Sequence, residues 1–191
     1  MCSSYMPSRM DDFAEDETSF YSNAEDYWKE VPPTVDGMLG GYGSISSIDI
    51  NGSKAFLQKF LGEGEGKTGA GCALDCGAGI GRISKRLLLP LFNTVDLVDV
   101  TQEFLDKAKT YLGEESKRVG KYICNGLQDF VPESGRYDVI WIQWVIGIPL
   151  IPPHGCVTFR SDLIAAILDN ACDSRSSFPL CSVENVHFVH F

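Results

Sequence analysis

The stretch ALDCGAGIGR, residues 73–82, carries the pattern that decides the fold of this chain. A short apolar run ends there, and glycines follow at every second position: Gly77, Gly79 and Gly81. Glycine at the first position permits a tight turn, glycine at the second lets a ligand approach the backbone, and glycine at the third lets a helix pack close to a sheet. The stretch therefore predicts a strand, a ligand-binding turn and a helix.

The spacing of these glycines separates two classes of ligand. A dinucleotide fingerprint reads G-x-G-x-x-G and places a pyrophosphate at the N-terminus of the following helix. This loop reads D-x-G-x-G-x-G, and an acidic residue such as Asp75 beside the loop suits a cationic or amine-bearing ligand. The loop resembles the first motif of class I S-adenosylmethionine-dependent methyltransferases. A nicotinamide-linked oxidoreductase is the alternative, and the spacing argues against it.

The chain on either side of the loop indicates an α/β fold. Strands are predicted at CALDC, VDLVDV, KYIC and YDVIWIQWV, and helices at residues 83–89 and 101–112. Apolar strands that alternate with helices are typical of a parallel sheet covered on both faces. Ligands of such sheets bind outside the carboxyl ends of the strands, where Asp99 ends the second strand and can accept both hydroxyls of a ribose.

The chain before the sheet is interpreted as two helices separated by a glycine-rich loop. Residues 1–16 are polar and acidic, so we expect disorder there. From Phe20 the apolar residues follow helical spacing, until the prolines that begin at Pro32 end the helix. The loop TVDGMLGGYG is either a plain surface connector or a gate over a site. A second helix, capped within residues 51–53, is expected to stop at Gly62.

Composition narrows the classes of function. The chain has 191 residues and a net charge of -10, which disfavours nucleic acid and anionic membranes as partners and fits a basic peptide better. No apolar run is long enough for a membrane span or a signal peptide. The seven cysteines lack paired spacing and are interpreted as reduced thiols. The three histidines are too scattered to predict a metal site.

Three longer stretches resemble one family, the α-N-terminal protein methyltransferases, which methylate Xaa-Pro-Lys N-termini. They are FYSNAEDYWKEVPPTVDGMLGGYGSISSIDI, ALDCGAGIGRISKRLLLPLF and YDVIWIQWVIG, and the resemblance covers about residues 20–147. It implies a Rossmann-like class I methyltransferase sheet with an N-terminal helical extension. It also implies S-adenosyl-L-methionine as cofactor, protein substrates with basic, Pro-containing N-termini, and a location in the nucleus and cytoplasm.

The same resemblance implies which residues form the site. Arg82 would pair with the carboxylate of the cofactor's methionine part, which a guanidinium fork suits. Trp144 would pack on the substrate proline. The cofactor site would consist of Gly77, Arg82, Asp99, Val100, Thr101, Leu127, Gln128 and Gln143, and the peptide channel of Trp28, Leu39, Gly40 and Trp144.

The C-terminal part departs from the family pattern. Ile148 stands where the family has a histidine, and the family strand that bears a catalytic Asn and Asp is not recognisable, so the catalytic residues stay unknown. Asp169, Asn170 and Asp173 are chemically similar but lie in unrelated context. We expect a methyltransferase domain at residues 17–147 that lacks its last strands, and a divergent tail at 148–191 from truncation or alternative splicing. The alternative function is a non-catalytic isoform that binds cofactor, peptide or a full-length relative without turnover.

Overall fold

The computed structural model describes residues 10–145 and 180–182, and the chain divides into two compact units, Met1–Val31 and Pro32–Phe191. The first unit contains helix α1, Met10–Glu30, which ends before the prolines as the sequence predicts. The helix begins at Met10, so residues 10–16 are helical where we expected disorder. Once a helix is nucleated, each further residue adds a backbone hydrogen bond at little cost, and this favours the longer helix.

The second unit begins with three short helical segments. Helix α2, Val35–Met38, is capped by the Thr34 hydroxyl, which accepts from the amide of Gly37 at 3.0 Å. A 3₁₀ turn, Gly43–Ile45, leads directly into helix α3, Ser46–Leu57. The segment predicted as one glycine-rich loop is therefore partly helical.

The cap predicted for α3 is wrong. Residues 51–53 lie inside the helix, because the preceding 3₁₀ turn already supplies its first turn. Ile50, Ser53 and Leu57 are buried on one helical face.

The sheet confirms the predicted α/β class. Within the described residues, its five strands are all parallel and lie in the order β3-β2-β1-β4-β5. The strands are β1 (Cys72–Cys76), β2 (Thr94–Asp99), β3 (Val119–Cys124), β4 (Val139–Ile142) and β5 (Leu180–Ser182). The predicted strand YDVIWIQWV is shorter than expected, and β5 lies at the start of the predicted strand CSVENVHFVHF, the rest of which is outside the described residues.

Helical segments connect the strands on both faces. Where a helix was predicted at residues 83–89, the structure has a π-helical turn, Ser84–Leu88. In this turn the amide of Leu89 donates to the carbonyl of Ser84 at 2.8 Å. Helix α4, Gln102–Leu112, ends at Gly113 as predicted. Thr101 precedes α4, but its side chain does not cap the helix. A 3₁₀ turn, Gly113–Arg118, then leads into β3.

Two apolar clusters cover the two faces of the sheet. Leu57, Leu87 and Leu105 pack with Trp141 on one face. Leu74, on the other face of β1, packs with residues that include Val98, Leu127 and Ile140. Burial on both faces is the usual condition of a parallel sheet. No described helix is both long and apolar enough to cross a membrane.

One ion pair, between a fully buried carboxylate and a partly exposed arginine, joins two parts of the sheet near the amino ends of its strands. Asp96 of β2 is fully buried, and its Oδ2 accepts from Nε of Arg136 at 2.8 Å and from the hydroxyl of Tyr137 at 3.0 Å. Arg136 and Tyr137 lie just before β4. This amino-edge pair, Asp96–Arg136, therefore fixes the entry of β4 against β2.

Candidate cofactor-binding site

The glycine loop lies at the carboxyl end of β1 and adopts the conformation that its sequence predicts. Gly77 and Gly79 have φ angles of 66° and 53°, in the left-handed region that favours glycine. The amide of Gly77 donates to the carbonyl of Val98 at 2.8 Å, which holds the turn against β2. A Cβ at Gly81 would lie 3.3 Å from Leu112 of α4, so this glycine permits close helix packing as predicted.

Two side chains lie directly over the loop. A Cβ at Gly77 would lie 2.3 Å from Cγ2 of Val145, and a Cβ at Gly79 would lie 2.5 Å from Sδ of Met38. Neither glycine can be replaced without moving these neighbours. The loop backbone is therefore a cradle bounded by α2 on one side and by the segment after β4 on the other.

Asp75, which gives the loop motif its acidic residue, is buried within the fold. Its Oδ2 accepts from the hydroxyl of Ser84 at 2.6 Å. Burial raises the pKa of Asp75 to about 7, against the opposing effects of Ser84 and of the nearby Arg82 charge. Asp75 therefore holds the π-helical turn against β1.

Asp99, at the end of β2, meets the centre of the glycine loop. Its Oδ2 accepts from the amide of Gly79 at 2.7 Å, and its Oδ1 accepts from the amide of Thr101 at 2.8 Å. Burial raises the pKa of Asp99, and the two backbone amides act in the opposite direction. Each carboxylate oxygen has a further lone pair, so Asp99 can accept more hydrogen bonds. Val100 is half-buried between Asp99 and the buried Thr101.

Arg82 follows the loop and is 4 % exposed. Its Nη1 donates to Oδ2 of Asp49 at 2.7 Å and to the hydroxyl of Ser46 at 3.4 Å. Within the described part of the chain, its Nε and Nη2 atoms have no hydrogen-bond partner. A guanidinium carries five N–H donors. Three of them therefore stay available to an anionic group.

The segment after β4 is held by the same carboxylate. Nε2 of Gln143 donates to Oδ1 of Asp49 at 2.6 Å, and Nε1 of Trp144 donates to that oxygen at 3.2 Å. Oε1 of Gln143 accepts from Trp141 at 2.8 Å and from Ser53 at 3.2 Å. We call Asp49, Arg82, Gln143 and Trp144 the Asp49 cluster.

Trp144 has an unusual backbone conformation. Its φ angle is 64°, and it is the one non-glycine residue with positive φ among residues 10–145 and 180–182. Such a conformation is costly for a bulky residue, and this kind of strain is concentrated at functional sites. The ring is 44 % exposed, so it presents an aromatic surface at this edge of the sheet.

Four more of the predicted site residues lie on other segments of the second unit. Leu127 is buried, whereas Gln128 is exposed and donates to Asp129 at 3.1 Å. Leu39 is buried and Gly40 is exposed, just after α2.

Trp28 belongs to the first unit, and four other predicted residues belong to the part of the chain that the structure does not describe. Trp28 lies on α1 in the first unit, where it is half-buried and packs edge-to-face on Tyr27. Ile148, Asp169, Asn170 and Asp173 are outside the described residues.

Sequence reasoning missed Asp49, although it contacts three of the predicted site residues. A signal was present, because Ser46, Asp49 and Ser53 have the i, i+3, i+7 spacing of one helical face. That polar stripe faces the site on a helix that otherwise buries Ile50 and Leu57.

A parallel sheet with a glycine loop after β1, joined to a carboxylate at the end of β2, is the arrangement of a cofactor-binding α/β fold, and the D-x-G-x-G-x-G spacing of its loop is typical of the class of S-adenosylmethionine-dependent methyltransferases. The sequence model of the AdoMet-dependent proline dimethyltransferase family matches residues 16–167. The chain belongs to this family, whose cofactor is S-adenosylmethionine. The match extends past residue 147, where the sequence predicts the end of the domain.

Known relatives agree with this assignment. The chain is 86% identical over 133 residues to the N-terminal Xaa-Pro-Lys N-methyltransferase 1 of Danio rerio, and 74% identical over 133 residues to that of Homo sapiens. Each alignment covers 70% of this chain and 60% of the relative. The chain thus spans about 60% of the length of the curated relatives it matches.

A solved structure agrees as well. The SAM-dependent methyltransferase of Leishmania major matches with a TM-score of 0.59 and 41% identity, over 65% of this chain and 48% of that one.

Proposed function

We propose that this chain binds S-adenosylmethionine and transfers its methyl group to the α-amino group of protein N-termini of Xaa-Pro-Lys type. The observation that carries the proposal is the 86% identity to the Danio rerio relative, whose name states this specificity. The net charge of -10 supports a basic substrate, because it attracts the lysine at the third position.

The residues at the carboxyl edge of the sheet fit the parts of the cofactor. Asp99 has the lone pairs needed for the ribose hydroxyls, and its Oδ2 already contacts the glycine loop at the amide of Gly79. The Nε and Nη2 donors of Arg82 suit a carboxylate in a bidentate arrangement. Leu127, Gln128 and Gln143 would complete the site around the adenine and the sulfur.

The peptide would lie at the exposed aromatic surface of Trp144, against which a proline ring can pack. Leu39 and Gly40 would line the same channel. The bound cofactor supplies an electrophilic methyl group on a sulfonium.

The side chains at this edge would hold the neutral α-amine next to that methyl group, and the ammonium product would lose its proton to a base or to water. Most of the rate would come from alignment of the two reactants by these side chains.

A second candidate is a non-catalytic chain that binds the cofactor, a peptide or a full-length relative without turnover. Ile148 favours it, because this residue stands where the family has a histidine. A location in the nucleus and cytoplasm stays a prediction that rests on the family resemblance.

The test is a methylation assay on a synthetic Xaa-Pro-Lys peptide, read by mass spectrometry. The same peptide with an acetylated N-terminus is the matched control, because acetylation removes the nucleophilic lone pair and leaves the lysine unchanged. We expect mass increments of one methyl group on the free peptide alone. Equal labelling of both peptides would contradict the proposed specificity. Cofactor binding without labelling of either would favour the non-catalytic alternative.

A further inference from the structure

We propose that Asp49 is a positioning residue that orients Arg82 for the carboxylate of the cofactor. The inference rests on the proposed function and deepens it. It gives a role to a residue outside the glycine loop and outside the strand ends. Asp49 lies on α3, the helix that precedes the sheet in the chain.

Both carboxylate oxygens of Asp49 are engaged by residues of the site. Oδ2 accepts from Nη1 of Arg82 at 2.7 Å, and Oδ1 accepts from Nε2 of Gln143 at 2.6 Å and Nε1 of Trp144 at 3.2 Å. The Asp49 side chain is only 7% exposed. One carboxylate therefore joins the segment after the glycine loop to the segment after β4.

The contact with Arg82 uses one side of the guanidinium and leaves the other side available. Nη1 carries the bonds to Asp49 and Ser46, and the Nε and Nη2 donors have no partner within the described part of the chain. Those two nitrogens form the edge of a guanidinium that binds a carboxylate with two parallel hydrogen bonds. Asp49 thus fixes the plane of the group without using this edge.

Burial makes this fixation necessary. The Arg82 side chain is 5% exposed, and a buried cation without a partner is costly. If Asp49 lost its charge, Arg82 would turn toward solvent or toward another acceptor. The cofactor would then lose the prearranged partner of its carboxylate but would keep its contacts at Asp99.

The experiment compares two ligands on the full chain by calorimetric titration. S-adenosylhomocysteine carries the amino acid part with its carboxylate, whereas 5′-methylthioadenosine has the same adenosine and sulfur without it. For Asp49→Asn we expect the affinity for S-adenosylhomocysteine to fall about tenfold, the size of one good charge-assisted contact. The affinity for 5′-methylthioadenosine should stay within about twofold, since that ligand does not reach Arg82.

Asp96→Asn is the matched control, because Asp96 is also a buried carboxylate paired with an arginine but contacts no predicted site residue. It should lower the melting temperature without changing the ratio of the two affinities. Equal losses for both ligands in Asp49→Asn, or no loss for either, would overturn the positioning role while the proposed function stands. A wild-type chain that binds neither ligand would overturn the proposed function, and the inference with it.

Discussion

The two ends of the sheet each hold a buried carboxylate paired with an arginine, at nearly equal distances. The Asp49–Arg82 pair at the carboxyl edge measures 2.7 Å, and the amino-edge pair Asp96–Arg136 measures 2.8 Å. Asp96 otherwise contacts Tyr137, which belongs to an apolar cluster, whereas Asp49 contacts Gln143 and Trp144. Burial and pairing alone therefore do not distinguish a structural ion pair from a functional one. The neighbours of the pair make that distinction.

The amino-edge pair should carry the largest effect on stability. Asp96→Asn removes the charge of a fully buried carboxylate that accepts from Arg136 and Tyr137, and among the described residues it leaves Arg136 with only the more distant Glu133 as an ion-pair partner, so we expect the free energy of unfolding to fall by about 3 kcal/mol. Chemical denaturation of the variant and the wild type at pH 7 measures this difference. A loss below about 0.5 kcal/mol, the size of a neutral surface substitution, would mean that the pair does not stabilise the sheet.

The free energy of unfolding should depend on pH up to neutrality because of Asp75, at the carboxyl edge of the sheet. Its pKa is raised from 3.8 to about 7, so the folded chain binds more protons than the unfolded chain between these values. The stability that this proton supplies is complete at low pH and is lost as pH rises toward 7. Relative to the wild type, Asp75→Asn should therefore become more stable between pH 5 and pH 7, by about 2 kcal/mol.

Denaturant unfolding of both chains at these two pH values provides the test of the Asp75 prediction. Asp106→Asn is a suitable control, because Asp106 is exposed and has a pKa that is lowered, not raised. The prediction is wrong if wild type and Asp75→Asn show the same change between the two pH values.

Replacement of Arg82 by lysine should weaken cofactor binding more than the same replacement of its neighbour Arg86. Arg82→Lys keeps the positive charge but removes the planar fork, so we expect S-adenosylhomocysteine to bind about tenfold more weakly. Arg86→Lys is the matched control, because Arg86 is exposed and donates only to Ser46 and Ser47 among the described residues. Calorimetric titration measures the affinity of both variants for S-adenosylhomocysteine. If the two variants bind it equally well, Arg82 is not part of the cofactor site.

The smallest effect concerns the indole of Trp144. Trp144→Phe removes the donor to Asp49 and keeps an aromatic ring. The free energy of unfolding should therefore fall by about 1 kcal/mol, the net value of one hydrogen bond. We expect the ratio of affinities for S-adenosylhomocysteine and 5′-methylthioadenosine to change less than in Asp49→Asn. A larger change than in Asp49→Asn would place the control of the site at Trp144 and not at Asp49.

The sheet could be predicted from local sequence because its signals are local. CALDC, VDLVDV, KYIC and YDVIWIQWV are short apolar runs, and glycines at alternate positions identify the turn after β1. Asp99 could be placed beside the glycine loop because strand ends of a parallel sheet meet at one edge. These predictions needed no knowledge of contacts distant in sequence.

The parts that sequence reasoning missed depend on tertiary contacts. Asp49 reaches Gln143, 94 residues away, and the polar stripe of Ser46, Asp49 and Ser53 does not by itself show which part of the chain it faces. The π-helical turn at Ser84–Leu88 occurs where an ordinary helix was expected, beside the buried Asp75 that binds Ser84. The start of α3 at Ser46 follows from the preceding 3₁₀ turn, which propensity alone does not predict.

Calorimetric titration with S-adenosylhomocysteine tests most directly whether the carboxyl edge forms a cofactor site in this chain. We expect saturable binding of one equivalent by the wild type, with binding retained in Asp96→Asn at a temperature where that variant is folded. Absence of binding by a wild-type chain that unfolds cooperatively would contradict a cofactor site at this edge, because the sheet and its glycine loop would then be formed without creating a site.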